Sequence, residues 1–204
     1  MVSIMVWVLV PKIKLKKENL MKKTLLIDGN SLINRAFYAL PILSTDEGLY
    51  TNGVYGFLKM FYKAVDEYQP DNIVCAFDVK HPTFRHEQYG EYKAGRKKMP
   101  EELVPQIPLL KEVLKQLGVF TFEIKGFEAD DIIGTYAYRA ENAGMECRVL
   151  TGDRDSLQLI NDRAHVLLAG NQDTVTYDAA AFLEKYGVRP DQYVDVKALM
   201  GDSS

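Results

Sequence analysis

From residue 22 onward, short apolar runs alternate with longer segments in which apolar residues recur every three or four positions. Short apolar runs between turn residues are typical of buried strands, and the longer period is typical of amphipathic helices. The predicted strands are 24–27, 72–77, 119–124, 146–150, 164–168 and 174–177. The predicted helices are 31–40, capped by Asn30 or Ser31, then 54–68, 101–117, 128–142, 178–186 and 191–200. This alternation predicts an α/β fold with a mostly parallel central sheet and helices on both faces.

The first twenty residues follow a different pattern. Their apolar run at 2–10 is about half the ~20 residues that a membrane-spanning helix needs. A lysine-rich stretch follows that run, whereas a secretory signal places its basic residues first. We expect residues 1–20 to be a non-native or disordered extension, with translation starting at Met21 and one folded unit over 21–204. No membrane association is predicted.

The amino-acid composition excludes further classes of protein. The chain has only 2 cysteines, too few for a disulfide scaffold or a cysteine-based zinc site. Cys75 and Cys147 both adjoin predicted strands, so we expect buried free thiols and a reducing cytoplasm. The net charge of −3 argues against a uniformly basic nucleic-acid surface, but it allows a local basic patch.

Carboxylates follow the predicted strands. Asp28, Asp78 and Asp153 each come directly after a strand, and parallel strands bring such residues to one edge of the sheet. The other acidic residues near helix or strand ends are Glu128, Asp130, Asp131, Asp155 and Asp202. Taken singly, each is consistent with a turn former or a helix cap. Together they would repel unless cations compensate, and Mg²⁺ is the natural ion for oxygen ligands.

Residues 80–98 form a basic segment that directly follows Asp78. Its six Lys and Arg residues and two Glu residues give a net charge of +4 within an acidic chain, and aromatic residues lie among them. Cations for phosphates and rings for bases are typical of single-strand binding, although a solvated loop has a similar composition. A basic segment over an acidic edge favours phosphodiester chemistry.

Several ordered motifs match one family. They are LIDGNSLINRAFYA (26–39), AFD (76–78), FRHE (84–87), YKAGR (92–96), GFEADD (126–131), TGDRDSLQLI (151–160) and MGDSS (200–204). Residues 21–204 therefore resemble the N-terminal 5′ nuclease domain of bacterial DNA polymerase I, within the flap endonuclease superfamily. The resemblance implies a PIN-like fold in which residues 80–100 form a helical arch over the active site.

The same resemblance implies roles for individual residues. It implies two Mg²⁺ ions, which Mn²⁺ can replace. The ligands that build or support the first site are Asp28, Asp78, Glu128, Asp130 and Asp153, and those toward the second are Asp131, Asp155 and Asp202. Lys93 and Arg96 correspond to a pair that contacts the scissile phosphate. The expected DNA-binding residues are Arg35, Arg85, Tyr92, Lys97 and Lys98, with Tyr92 a candidate for base stacking.

The implied activity is metal-dependent 5′–3′ exonuclease and flap endonuclease cleavage of DNA with a 5′ single-stranded end, as in primer removal and repair. A polymerase domain would follow if the gene continues. The family pattern extends beyond Ser204, so we expect the last metal-binding carboxylate and the helix–hairpin–helix-type element to be missing. Two alternatives stay open, a PIN-class ribonuclease and an inactive truncated remnant that binds DNA weakly.

Overall fold

The computed structural model describes residues 22–79, 81–93, 95, 98–170 and 173–201. The expectations for residues 1–20, and those for Arg96, Lys97 and Asp202, lie outside the described residues. None of the helices in these ranges is long and apolar enough to span a bilayer.

Within the described ranges, six strands form a single sheet in the order β3-β2-β1-β4-β5-β6. The strands are β1 (Lys23–Asp28), β2 (Asn72–Ala76), β3 (Phe120–Phe122), β4 (Glu146–Thr151), β5 (Ala164–Ala169) and β6 (Thr174–Tyr177). The first five are parallel, and β6 pairs antiparallel with β5. The mostly parallel sheet predicted from the sequence is confirmed, so the carboxyl ends of β1, β2 and β4 meet at one edge.

The α-helices are α1 (Gly29–Ala39), α2 (Asn52–Tyr68), α3 (Phe84–Gln88), α4 (Gln106–Gln116), α5 (Ala129–Asn142), α6 (Ala179–Tyr186) and α7 (Tyr193–Met200). The predicted start of α4 at residue 101 was wrong, because residues 101–105 form turns up to Pro105. Pro108 lies within the first turn of α4, where its missing N–H is not needed. A 3-10 helix, Arg154–Leu159, follows β4 and was not predicted.

Two apolar layers cover the sheet, one on each face. The side chains of α1, α2 and α4 pack on one face around Phe57, Phe77 and Leu110. Those of α5 and α6 pack on the other face around Ile133 and Phe182. Cys75 and Cys147 are buried free thiols in these layers, as expected. Helices on both faces leave the carboxyl edge of the sheet open.

Candidate active site

A cleft of about 450 Å³ opens at the carboxyl edge of the sheet. The carboxylates that line it are Asp28, Asp78, Glu128, Asp130 and Asp153. These are the five residues expected to build or support the first metal site. Residues from the ends of β1, β2 and β4 and from the start of α5 thus come together around one opening.

Asp28 is held in place by the end of β1. Its Oδ1 atom accepts a hydrogen bond from the backbone N of Ser31 at 3.0 Å, and Oδ2 accepts one from the hydroxyl of Thr151 at 3.1 Å. Asp28 therefore caps α1, and the prediction of Asn30 or Ser31 as the cap was wrong. Asp28 as a whole residue is 4% exposed. Burial, followed by repulsion from Asp130, raises the pKa of Asp28 to about 7.

Asp78 connects two helix starts. Its backbone N donates to Oδ1 of Asn30 at 3.0 Å, and its own Oδ1 accepts from the backbone N of Ala129 at 2.8 Å. The Asn30 side chain at the start of α1 therefore fixes the backbone of Asp78, which in turn caps α5. The arrangement requires Gly29, since a Cβ atom there would collide with the buried ring of Phe77.

The start of α5 carries the acidic motif predicted from GFEADD. Glu128 is 6% exposed, and its backbone N donates to Oδ2 of Asp131 at 2.9 Å. Asp130 is an exposed residue that lines the cleft. Neighbouring protein atoms nevertheless desolvate its carboxylate in part. This desolvation, followed by the charges of Asp153, Asp78 and Glu128, raises the pKa of Asp130 to about 6.

Thr151, the last residue of β4, forms hydrogen bonds with two residues of the cleft. Its Oγ1 atom accepts from the backbone N of Asp153 at 3.0 Å, while its hydroxyl donates to Asp28. Asp153 Oδ1 accepts from the backbone N of Asp155 at 2.9 Å. The carboxylate of Asp155 lies 2.8 Å from Nζ of Lys197 and does not line the cleft. Asp153 therefore lines the cleft, whereas Asp155, two residues further on, pairs with a lysine outside the cleft lining.

The described part of the basic segment lies against the acidic edge. Nζ of Lys93 lies 2.6 Å from Oε1 of Glu128, and the hydroxyl of Tyr92 donates to Oε2 of Glu128 at 3.1 Å. Lys93 and Lys98 both line the cleft. Arg85 instead pairs with Asp131, with both nitrogen–oxygen distances at 2.8 Å. A positive rim thus borders the cluster of carboxylates.

Arg35 is placed differently from the other expected DNA-binding residues. One guanidinium nitrogen donates to the backbone oxygen of Gly152 at 3.4 Å. Arg35 lines a separate cleft of about 210 Å³ beside α1 and α2, together with Lys59 and Lys63. The structure does not bring it into the acidic cleft.

Sequence reasoning missed polar residues that complete the cleft. Ser31, Asn34 and Tyr38 line it beside Asn30. The Oγ atom of Ser31 also accepts from the backbone N of Gly152 at 3.1 Å, which joins α1 to the end of β4. All four of these residues lie on α1, directly after Asp28. Their helical spacing from the end of β1 was the sequence signal that could have identified them as lining the cleft.

The donor set of the cleft fits a hard divalent cation. Across the described ranges, no group of three or more Asp, Glu, His or Cys side chains is already gathered into a metal-binding arrangement. The cleft nevertheless offers five carboxylates, all of them oxygen donors. Burial, followed by repulsion between neighbouring carboxylates, raises the pKa values of Asp28 and Asp130, so the cluster gains from any cation that offsets its charge. Oxygen donors of this kind suit Mg²⁺ or Mn²⁺.

A family model described as "5′-3′ exonuclease, N-terminal resolvase-like domain" matches residues 23–187. The chain belongs to this family. It is 48% identical over 185 residues to DNA polymerase I of Bacillus caldotenax, and 45% identical over 182 residues to the thermostable DNA polymerase I of Thermus aquaticus. These alignments cover 90% and 89% of the chain but 21% of each relative. The chain therefore spans about a fifth of the length of the curated relatives it matches.

Solved structures share the fold. The T5 D15 protein co-crystallised with metal ions matches with a TM-score of 0.65 at 22% identity, covering 89% of this chain and 67% of that one. The bacteriophage T5 D15 flap endonuclease, in a pseudo-enzyme-product complex with DNA and metal ions, matches with a TM-score of 0.63 at 20% identity. It covers 89% of this chain and 67% of that one. The PIN-like fold expected from the resemblance is confirmed.

Proposed function

We propose that this chain is a divalent-metal-dependent 5′–3′ nuclease that hydrolyses phosphodiester bonds near the 5′ end, or at the 5′ flap, of DNA. The observation that carries the proposal is the convergence of five carboxylates with Lys93 in one cleft. That convergence occurs in a member of the 5′–3′ exonuclease family. The T5 D15 structures, one co-crystallised with metal ions and one in complex with DNA and metal ions, support the substrate and the cofactor.

Mg²⁺ is the proposed cofactor, with two ions bound and Mn²⁺ able to replace them. The proposed ligands of the first site are the five carboxylates that line the cleft. Asp155 and Asp202 are proposed for the second site; Asp155 lies outside the cleft lining. Asp131 was also expected there, and its two carboxylate oxygens are paired with Arg85 in the structure. When bound, such ions lower the pKa of a coordinated water and stabilise negative charge on phosphate and leaving oxygens.

The chain's own residues then have separable tasks. Lys93 and Lys98 line the cleft, where their ammonium groups can attract a phosphate and neutralise the charge that grows during cleavage. Arg96 is proposed to act with Lys93 at the scissile phosphate, and Lys97 to add general attraction for DNA. Asp28 and Glu128 are 4% and 6% exposed, so they are held away from bulk water.

The proposed biological setting is removal of RNA primers and flaps during DNA replication and repair in the cytoplasm, with a polymerase domain on the same polypeptide. The names of the curated relatives, each a DNA polymerase I, support this setting. Residues 21–204 are proposed to form one nuclease domain; the family match covers 23–187 of this range.

The test compares substrates and metal conditions. A 5′-labelled DNA flap is incubated with the chain in Mg²⁺, in Mn²⁺ and in excess chelator, beside a structureless RNA of the same length. The proposal expects short 5′-phosphorylated DNA products that need the metal. Preferred cleavage of the RNA would support the PIN-class ribonuclease instead. DNA binding without turnover on either substrate would support a non-catalytic remnant.

A further inference from the structure

Arg85 and Asp131 form a two-point ion pair beside the active-site cleft. Nη1 of Arg85 donates to Oδ2 of Asp131, and Nη2 donates to Oδ1, both at 2.8 Å. Parallel hydrogen bonds between a guanidinium and a carboxylate fix both groups in one plane. The side chains are only 31% and 17% exposed, so solvent competes weakly for them. The pair is therefore a rigid connection between α3 and α5.

The pair contacts Glu128 from two directions. Oδ2 of Asp131 accepts the backbone N–H of Glu128 at 2.9 Å, and Nη1 of Arg85 lies 3.5 Å from Oε2 of Glu128. Asp131 thus holds the backbone of Glu128 while Arg85 attracts its carboxylate. Because Glu128 is buried and lines the cleft, a small movement of either partner would change where its oxygens point.

The pair also docks the beginning of the basic segment. Arg85 lies in α3, and the backbone N of Phe84 donates to the oxygen of Gly126 at 3.2 Å. The rings of Phe84 and Phe127 lie 6.1 Å apart, and the Arg85 guanidinium lies 4.6 Å from the Phe84 ring centroid. These contacts fasten α3 to the turn that precedes α5. The position of Lys93, a few residues further on, depends on this anchor.

We propose that Arg85 and Asp131 are a positioning pair that orients Glu128 and places the basic segment over the cleft. This inference rests on the proposed nuclease function. Neither residue lines the cleft, and each oxygen of Asp131 already accepts at least one hydrogen bond. The pair therefore acts through Glu128 and Lys93, in place of the direct metal and DNA contacts that the resemblance implies for Asp131 and Arg85.

The test is a double-mutant cycle with Arg85→Met, Asp131→Asn and the combined variant, with Arg85→Lys as a milder change. Single-turnover cleavage at saturating flap DNA and DNA affinity across a salt series are measured for each. Arg189→Met is the matched control, since Arg189 makes a similar two-point pair with Asp191 at 3.0 Å for both contacts but lies outside the cleft.

We expect each single variant to lose about 10- to 100-fold in the single-turnover rate, as is usual when partners that orient site residues are removed. The combined variant should be no slower than the slower single one, because both changes break the same contact. Arg85→Lys should recover part of the rate. DNA affinity and its salt slope should stay at the parent values. Arg189→Met should leave the rate unchanged.

Two results would overturn the inference. A salt slope reduced by about 1 in Arg85→Met, with a parental rate at saturation, would make Arg85 a phosphate contact. Rate losses that multiply in the combined variant would show that the two residues act independently.

Hydrogen exchange of the metal-free protein separates this inference from the proposed function. Arg85→Met is expected to lose amide protection both in 84–93 and in 126–131, whereas Arg189→Met retains it. Unchanged protection in both segments would contradict the positioning role even if the parent chain cuts DNA. If the parent chain cuts no DNA but Arg85→Met still loses amide protection in both segments, the proposed function fails. The connection that Arg85 and Asp131 make between α3 and α5 would then stand.

Discussion

Nζ of Lys93 lies 2.6 Å from Oε1 of Glu128, which joins the basic segment directly to the acidic cleft. The two side chains are 21% and 8% exposed, so the contact is largely shielded from water. A cation from the basic segment thus offsets part of the charge of the carboxylate cluster. The same ammonium group faces the cleft in which a phosphate would be cleaved.

Lys93→Met is expected to slow cleavage more than it weakens binding. Charge on the phosphate grows in the transition state, and losing one well-placed electrostatic donor costs about 10²- to 10³-fold in rate. General attraction for DNA is shared with other lysines, so affinity should fall little. The measurements are the single-turnover rate at saturating flap DNA and the DNA dissociation constant.

Lys115→Met is the control for that experiment, because Lys115 lies on α4, is 76% exposed and does not line the cleft. It should cut at the parental rate. If Lys93→Met loses equal fractions of rate and affinity, Lys93 is an ordinary phosphate contact.

Asp130→Asn is expected to stabilise the metal-free protein. The carboxylate of Asp130 faces the charges of Asp153, Asp78 and Glu128, and the amide keeps its shape without its charge. Relief of this repulsion should raise the melting temperature in chelator by roughly 1–3 °C. Added Mg²⁺ should stabilise the parent more than the variant. Equal or lower stability of the variant in chelator would mean that the repulsion is already compensated.

Gly29→Ala is expected to destabilise the fold and disturb the cleft. The new methyl group would collide with the fully buried ring of Phe77, which precedes Asp78, while Gly29 itself follows Asp28. Overpacking of this kind costs about 1–3 kcal/mol. Urea unfolding and flap cleavage measure the two effects.

The matched control is Gly90→Ala, since a Cβ atom at Gly90 meets no other atom within 4 Å. It should keep parental stability and activity. If Gly29→Ala unfolds in urea and cleaves the flap as the parent does, the Phe77 ring moves aside easily. The close packing of Gly29 against Phe77 then has no role in placing Asp28 and Asp78.

The local pattern of apolar and polar residues was sufficient to predict the strands and the edge of the sheet at which the carboxylates meet. Asp28, Asp78 and Asp153 could be grouped because each follows an apolar run, and parallel pairing brings those strand ends together. The partner of each side chain could not be predicted this way. The pairing of Arg85 with Asp131 joins residues 46 positions apart, and no local period encodes such a contact.

Gln106 is a second example of a contact that sequence periodicity could not reveal. Its Oε1 atom accepts from the backbone N of Gly53 at 2.7 Å and from that of Val54 at 3.2 Å, so it caps α2 from 53 positions away. Its Nε2 atom donates to Oδ1 of Asn52 at 3.0 Å. The helical pattern of 101–117 gave no reason to separate this buried polar residue from its exposed neighbours.

Gln106→Ala is expected to lower the free energy of unfolding by about 2–3 kcal/mol, because it leaves buried donors at the start of α2 without an acceptor. Gln116→Ala, at the exposed end of the same helix, should change it little. Chemical denaturation of both variants measures the difference. A loss in Gln106→Ala no larger than in Gln116→Ala would mean that water replaces the lost acceptor.

The central claim is that the acidic cleft at the sheet edge cuts DNA, and Asp78→Asn tests it most directly. The amide oxygen can still accept from the backbone N of Ala129, so the fold should persist while the charge is lost. Asp66→Asn, on the exposed side of α2, is the matched control. In Mg²⁺ and at saturating flap DNA, we expect Asp78→Asn to lose about 10³-fold in single-turnover rate with DNA affinity retained, and Asp66→Asn to match the parent. Cleavage by Asp78→Asn near the parental rate would contradict the account.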